Sequence, residues 1–330
     1  MTQHNYSQRM APPRGRSELY EVLGEERLRG RDVLSIADFS SDELRLILSV
    51  AAKLKRGKFD ETQTQFAKGQ TLAMLFEKPS LRTRVTFEAG MTQLGGSAIY
   101  LEGRLGQREA INDVARNLER WVDGIMGRVF SNATLIELAD NSTVPVINGL
   151  CDLEHPCQAL ADYQTMIERW GTLDGRKLAY VGDGNNVAHS LMLLGAKLGI
   201  EVSVASPEGY EPLPAFVSQA KVDAAETGAV ISILRDPREA VADADAVYTD
   251  VWASMGQEEE TELRRPIFQP YQVNAALLAG AKPDALVMHD QPAHRDEEIT
   301  SEVFDSPRSV VFDQAENRLH AQKAVLSLVL

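Results

Sequence analysis

Short apolar runs of strand length recur along this chain between segments with helical apolar spacing, and few architectures accept that alternation. Thr71-Leu72-Ala73-Met74-Leu75-Phe76 reads as a buried strand. Ser40-Ser41-Asp42-Glu43 caps a helix whose apolar face carries Leu44, Leu46, Ile47 and Val50. Strands are predicted at 71–76, 97–102, 124–130 and 144–149, with helices at 84–94, 110–122 and 132–140 between them. A long helix follows from about His155 to Trp170. A second series sets strands at 177–181, 201–205, 229–234, 246–251 and 285–289 among helices at 186–199, 214–227, 237–243, 270–280 and 297–304. A polar loop is expected near 254–266 and a last helix at about 314–329. Strands alternating with helices predict parallel sheets with helical cover, and the break near 150–155 divides two α/β halves. A length of 330 residues suits two such domains.

In parallel sheets, ligands collect at the carboxyl ends of the strands. Six of these strand ends carry polar chemistry. After the first comes Ser80-Leu81-Arg82-Thr83-Arg84, where hydroxyls and two guanidiniums meet the start of a helix. Helix N–H groups and the positive end of the dipole hold phosphate, and arginine adds a bidentate fork. An exposed polar loop with a hydroxyl cap fits the pentapeptide equally well. Arg128 ends the third strand, and His155-Pro156-Cys157-Gln158 opens the long helix. An imidazole and an amide there suit an oxyanion or a polarised carbonyl, and a plain capping histidine suits the same place. Cys157 reads as a buried structural thiol.

Gly182-Asp183-Gly184-Asn185-Asn186 begins like a dinucleotide fingerprint, but Val187 stands at the position of the third glycine. Turn glycines without a cofactor are the better reading, with Asn186 open to a polar substrate group. Asp250 ends a strand before Ser254-Met255-Gly256, where a carboxylate either holds an ammonium or caps a helix. His289-Asp290-Gln291-Pro292-Ala293-His294-Arg295 is the densest polar cluster. Its consecutive strand residues point to opposite faces, which argues against a metal site. Arg318 on the final helix fits a solvated face unless other parts of the chain enlist it.

The chain carries 34 Lys and Arg against 48 Asp and Glu, a net charge of −14, which excludes a general nucleic-acid or anionic-membrane binder. Positive charge for an anionic ligand must therefore be local, as at Arg82 and Arg84. Two cysteines with no CxxC pair point to a reducing cytoplasm, with neither disulfides nor zinc. No apolar run approaches the roughly 20 residues that span a bilayer. Residues 1–27 are polar, lack the apolar core of a signal peptide and are expected to form a flexible arm.

Together the motifs resemble the aspartate/ornithine carbamoyltransferase family. The matching pieces are FEKPSLRTRVTFE (76–88), VDGIMGRVF (122–130), HPCQALAD (155–162), GDGNN (182–186), DVWASMGQE (250–258), MHDQPAHRDEEIT (288–300) and AENRLHAQKAVL (315–326). They stand in the family's order and span about residues 30–330. The resemblance implies a doubly wound carbamoyl-phosphate domain, 28–153 with 310–330, and a doubly wound amino-acid domain, 154–309. The long helix and the C-terminal helix join them. It implies a homotrimer with sites between subunits, and no metal or organic cofactor. Ser80, Leu81, Arg82, Thr83, Arg128, His155, Gln158 and Arg318 would bind carbamoyl phosphate, with Arg104 reaching a neighbouring subunit's site. Asn186, Asp250, Ser254 and Met255 would bind ornithine, and Asp290 and Gln291 would lie beside its amine. Arg82, Arg128, His155, Asp250 and Asp290 would carry the chemistry, which yields citrulline and phosphate in arginine metabolism.

Relatives separate on residues. Aspartate enzymes carry HPTQ and HPLPR and lack the SMG loop, whereas Cys157 and Ser254-Met255-Gly256 here favour ornithine. Putrescine enzymes add a C-terminal helix beyond the point corresponding to AVLSLVL. Three departures stand out: Leu81 replaces a threonine of STRTR, Arg104 replaces a glutamine, and Asp290-Gln291 replaces the Cys-Leu of HCLP. A carboxylate beside the reacting amine raises the amine pKa, typically by about 1–3 units. Either Asp290 compensates as proton acceptor with Asp250, or the chain prefers another amine such as lysine, diaminobutyrate or putrescine. A silent regulatory paralogue is disfavoured because the phosphate-side residues are intact.

Overall fold

Among the described residues, nine parallel strands in two sheets carry the fold, and their order determines where ligands can sit. The computed structural model describes residues 28–57, 65–254 and 258–330, so the expected arm at 1–27 and Met255 lie outside the described residues. The first sheet runs β2-β1-β3-β4, with β1 Thr71–Phe76, β2 Ser97–Glu102, β3 Gly124–Arg128 and β4 Val146–Leu150. The second runs β7-β6-β5-β8-β9, with β5 Lys177–Val181, β6 Glu201–Ala205, β7 Ile231–Leu234, β8 Ala246–Thr249 and β9 Leu286–His289. Strand order reverses beside β1 and β3 in one sheet and beside β5 and β8 in the other. At such switch points the crossovers diverge and leave a crevice at the strand ends.

Local chemistry places the helices that face these crevices. Helix α1 (Ser41–Lys55) starts on a reciprocal capping box between Ser40 and Glu43. Helix α2 (Leu81–Gln93) starts on Ser80, whose hydroxyl accepts from the Thr83 amide at 3.2 Å. Helices α3 (Ile111–Leu118) and α4 (Asn132–Asp140) complete the first unit's cover. Helix α5 (Pro156–Trp170) has proline in its first turn and ends at Gly171, where φ of 78° suits glycine. It is buried from Pro156 through Met166, because it runs between the two units. The second unit is covered by α6 (Asn186–Leu198), α7 (Pro214–Thr227), α8 (Pro237–Val241), α9 (Thr261–Phe268), α10 (Ala275–Leu278) and α11 (Ser301–Phe304).

The last helix, α12 (Val311–Val329), packs against α1, α2 and α5 and so returns to the first unit. Gly90 permits the approach: a Cβ there would lie 3.3 Å from Lys323 Cγ. That close crossing brings Arg318 to the start of α2. Asn317 locks the same helix to α5, donating to Thr165 at 2.8 Å and to Glu168 at 3.0 Å.

Three expectations differ from the structure. The polar stretch near 254–266 runs into α9, a helix that carries Pro266 inside it. Charge helps to hold it, with Arg264 paired to Glu260 and to buried Asp183. The helix expected at 270–280 is a 3-10 turn at Gln269–Tyr271 followed by the short α10. Pro270 starts the turn, and the Asn274 side chain, accepting from Leu277, starts a new helix. The helix expected at 297–304 is only α11, since Ile299 forms a parallel bridge with Val273. No described helix is long and apolar enough to cross a membrane.

Candidate active site

The carboxyl ends of β1 and β3 present basic groups, and those of β8 and β9 present acidic ones. On the basic side, Thr83 is buried in the first turn of α2, and its hydroxyl accepts from Arg318 at 3.0 Å and Arg128 at 3.4 Å. One hydroxyl therefore joins β3, α2 and α12. Arg318 also donates to the Gln158 carbonyl, and the Gln158 amide donates to Asp162 at 2.7 Å. Burial pulls the Arg128 guanidinium down to about 10, with Arg318 and Arg82 lowering it further and Asp290 opposing them. It stays cationic at neutral pH. Arg82, half-buried beside them, is lowered for the same reasons.

His155 sits at the N-terminus of α5 and makes no capping bond with its side chain. Its amide donates to Ser190, and its ring is fully buried. Burial, then the positive fields of Arg318, Arg128 and Arg82, hold the imidazole well below its ordinary value. It is a neutral hydrogen-bonding group at neutral pH, and its side chain does not cap the helix. Cys157 is buried, with its thiol pushed up to about 12 by burial, as a structural thiol should be.

Across the crevice, Asp250 accepts from Asn185 at 2.8 Å. Burial, and after it the Asp290 charge, push its carboxyl up to about 7. Asp290 follows β9, and its Oδ1 lies 3.8 Å from Arg318 Nη1. Burial raises its carboxyl, while Arg318, Arg128 and Arg82 pull it back. His289 is fixed as a tautomer: Nδ1 accepts from the Gln291 amide at 2.8 Å, so Nε2 carries the proton and donates to Glu298 at 3.0 Å. His294, Glu297 and Glu298 offer atoms within 4.8 Å of one another. These groups are engaged elsewhere, Glu298 with His289 and Glu297 with Arg265.

Four more of the expected residues have surroundings of their own. Asn186 donates to the Cys151 carbonyl at 2.7 Å, tying α6 to the end of β4 and leaving its amide committed. Arg104 is exposed, with its guanidinium 4.6 Å from the Phe130 ring centre. Leu81 is 75% exposed, so only its backbone can face the crevice. Ser254 is half-buried in the loop after β8. The glycines of 182–184 are structural: a Cβ on Gly184 would stand 2.1 Å from Pro212 N, and Asp183 is engaged by Arg264.

Several supporting residues escaped sequence reasoning. Glu77 accepts the amides of Leu105 at 2.9 Å and Phe130 at 2.8 Å, fixing the loops after β2 and β3. Asp162 accepts from Gln158, Gln314 and Tyr248, and burial pushes it up to about 8. Gln314 accepts from the His289 amide, so this chain of contacts links the two sides of the crevice. The signal available was the four-residue spacing of Gln158 to Asp162 and of Gln314 to Arg318, which puts each pair on one helix face.

Some of the buried polar atoms without a protein partner lie here: Arg128 Nε, His155 Nδ1, Arg318 Nε, Asp290 Oδ1 and Gln291 Nε2. Each such atom costs about 1–3 kcal/mol when left unsatisfied, so these five have free hydrogen-bonding capacity. Arginines and carboxylates thus face one another where the two α/β units meet, with Asp290 Oδ1 3.8 Å from Arg318 Nη1.

Similarity to known proteins extends over most of the chain. Residues 31–168 match the aspartate/ornithine carbamoyltransferase carbamoyl-P binding domain, and residues 174–329 match the Asp/Orn binding domain. The chain belongs to the aspartate/ornithine carbamoyltransferase family. It is 57% identical over 306 residues to an ornithine carbamoyltransferase of Thermococcus kodakarensis, covering 92% of this chain and 97% of that one. It is 51% identical to an ornithine carbamoyltransferase of Bacillus subtilis, covering 92% and 95%. The structure of ornithine carbamoyltransferase from Pyrococcus furiosus superposes with a TM-score of 0.88 at 55% identity, covering 92% and 97%.

Proposed function

We infer that this chain is an ornithine carbamoyltransferase, moving the carbamoyl group of carbamoyl phosphate to the δ-amine of L-ornithine. The observation that carries the reading is the Thr83 hydroxyl shared by Arg128 and Arg318, with neutral His155 beside them. Ser80, the Leu81 backbone, Arg82, Arg128 and Arg318 hold the phosphate, and Gln158 is oriented by Arg318 toward the carbamoyl group. The first unit with α12 forms the carbamoyl-phosphate domain, and the second unit binds the amino acid.

The neutral δ-amine attacks the carbonyl carbon, forming a C–N bond and placing charge on the carbonyl oxygen. Arg128, His155 and Thr83 stabilise that oxygen, and preorganised donors of this kind supply the larger part of such catalysis. Collapse breaks the bond from carbon to the phosphate oxygen, and the arginines carry the leaving phosphate. The amine proton passes to the carboxylate side, leaving citrulline and phosphate. Asp250 holds the amino acid with Ser254 and Met255, and Asn186 joins them by giving up its bond to the Cys151 carbonyl. Asp290 and Gln291 flank the reacting amine.

A homotrimer is supported by the open edge of the first sheet. Ile99 and Leu101 on β2, and Leu81 and Val85 on α2, are apolar side chains between 40% and 75% exposed. In that assembly Arg104 reaches the neighbouring site. Both cysteines are free, which accords with a cytoplasmic enzyme.

The deciding experiment incubates the purified protein with carbamoyl phosphate and ornithine, reading citrulline and phosphate together. Lysine, diaminobutyrate and putrescine run in parallel, because Asp290 beside Asp250 favours a second reading with a different amine. Ornithine turning over fastest sustains the assignment. Absence of product from ornithine, with turnover of another amine, replaces it.

A further inference from the structure

Two carboxylates leave the second sheet side by side. Thr249 and His289 are register partners on β8 and β9, so Asp250 and Asp290 follow at the same level. They then part. Asp250 turns to Asn185, in the turn before α6. Asp290 faces the basic side, with Oδ1 3.8 Å from Arg318 Nη1 and no hydrogen bond formed to that oxygen. The well-made bonds of Arg318 go instead to Thr83 and Gln158. Asp290 therefore belongs to the guanidinium cluster by charge alone. A carboxylate held this way can be released without breaking a hydrogen bond.

We propose that Asp290 is a resident counter-anion of the arginine cluster, displaced when a phosphoryl dianion enters and thereby freed to receive the amine's ammonium group. The proposal rests on the carbamoyl-phosphate reading above and deepens it. Asp290 offsets part of the charge of Arg82, Arg128 and Arg318, which the through-space pull of all three on its ionised form supports. An arriving dianion takes over those guanidiniums and repels Asp290. Displaced toward Asp250, the carboxylate adds negative charge where the cationic co-substrate must bind. Phosphate and ornithine then strengthen each other's binding, and by linkage the two enhancements are equal. No bond is made or broken; the step is an exchange of ion-pair partners.

Calorimetric titration with inorganic phosphate and with ornithine, each alone and in the presence of the other, tests this without turnover. In the unsubstituted protein, phosphate should tighten ornithine binding about tenfold, the size expected when a buried like charge or counter-charge is exchanged at close range. Asp290→Asn and Asp290→Ser should each bind phosphate about tenfold more tightly than the parent, and the mutual enhancement should fall toward one. Phosphate affinity that is unchanged or weaker in the variants overturns the proposal. So does a parent in which phosphate leaves ornithine affinity unchanged, a readout that needs no variant to fold. Citrulline formation by the parent stays a separate measurement. A protein that makes no citrulline yet shows the coupling refutes the proposed reaction and leaves the displacement standing.

Discussion

On the first sheet's side of the cleft, like charges are held together; on the second sheet's side, like charges are kept apart. Arg128 and Arg318 share the Thr83 hydroxyl, and Gln158 fixes Arg318 from behind. Three chain segments distant in sequence thus hold one cationic surface in a single geometry. Asp250 and Asp290 instead diverge from adjacent strand ends, one toward an asparagine and the other toward the arginines. The contrast teaches that the anion side is preorganised by bonds, whereas the cation side is set by which charges occupy the cleft.

The largest expected effect falls on the preorganised side. Arg128→Gln removes a cation that both orients Thr83 and faces the developing oxyanion. Loss of one such donor lowers kcat by about 10²–10³. Steady-state kinetics should show that fall with ornithine KM changed far less. An equal rise in both KM values and an unchanged kcat would mean that Arg128 only binds.

Asp250→Asn tests the opposite side. The substitution keeps an acceptor for Asn185 and removes the charge that faces the ammonium. Ornithine KM should rise about tenfold to a hundredfold, in line with loss of one close ion pair. Phosphate affinity should not weaken. If both substrates weaken together, the division into an anion side and a cation side fails.

The two sides also differ in titration. Asp250 is raised from its ordinary 3.8 to about 7, chiefly by burial, so the folded state binds its proton more tightly than the unfolded chain does. Stability from that proton is fully present below pH 3.8 and is lost as pH rises through about 7. Arg128, lowered only to about 10, contributes nothing to this window. Thermal melts of the parent and Asp250→Asn should therefore converge as pH is lowered, with the variant relatively more stable at the higher pH. The change is on the order of 1–3 kcal/mol between about pH 5 and 8. Parallel melting curves across that range would show that Asp250 is already ionised in the fold.

What the residues alone made legible follows the same division. Ser80–Arg84, Arg128 and His155 could be found because strand-end position and a helix start are local properties. The alternation of elements likewise announced two parallel sheets. The orientation of Asp290 was not legible, since it depends on Arg318 arriving from the far end of the chain. Asp162 and Gln314 hid for a related reason: each reads as an ordinary polar residue until two helices meet. Helix α9 was missed because Pro266 stands inside it, and a proline in the sequence reads as a helix break. Asn186 looked open from its place after β5, yet its partner is a backbone carbonyl in the other unit.

The smallest effect separates two roles that Ser80 combines. Its hydroxyl caps α2 by accepting from Thr83, and it stands where phosphate would meet the helix. Ser80→Ala should cost about 1 kcal/mol of stability through the lost cap. Ser80→Asp restores an acceptor at the same place but adds a negative charge at the helix start. Its stability should return to the parent's level or above, while phosphate binding falls well below that of Ser80→Ala. Calorimetry and melting on the two variants give both readouts. If Ser80→Asp binds phosphate as well as Ser80→Ala does, the anion does not reach the start of α2. The basic side would then consist of Arg128, Arg318 and His155 alone.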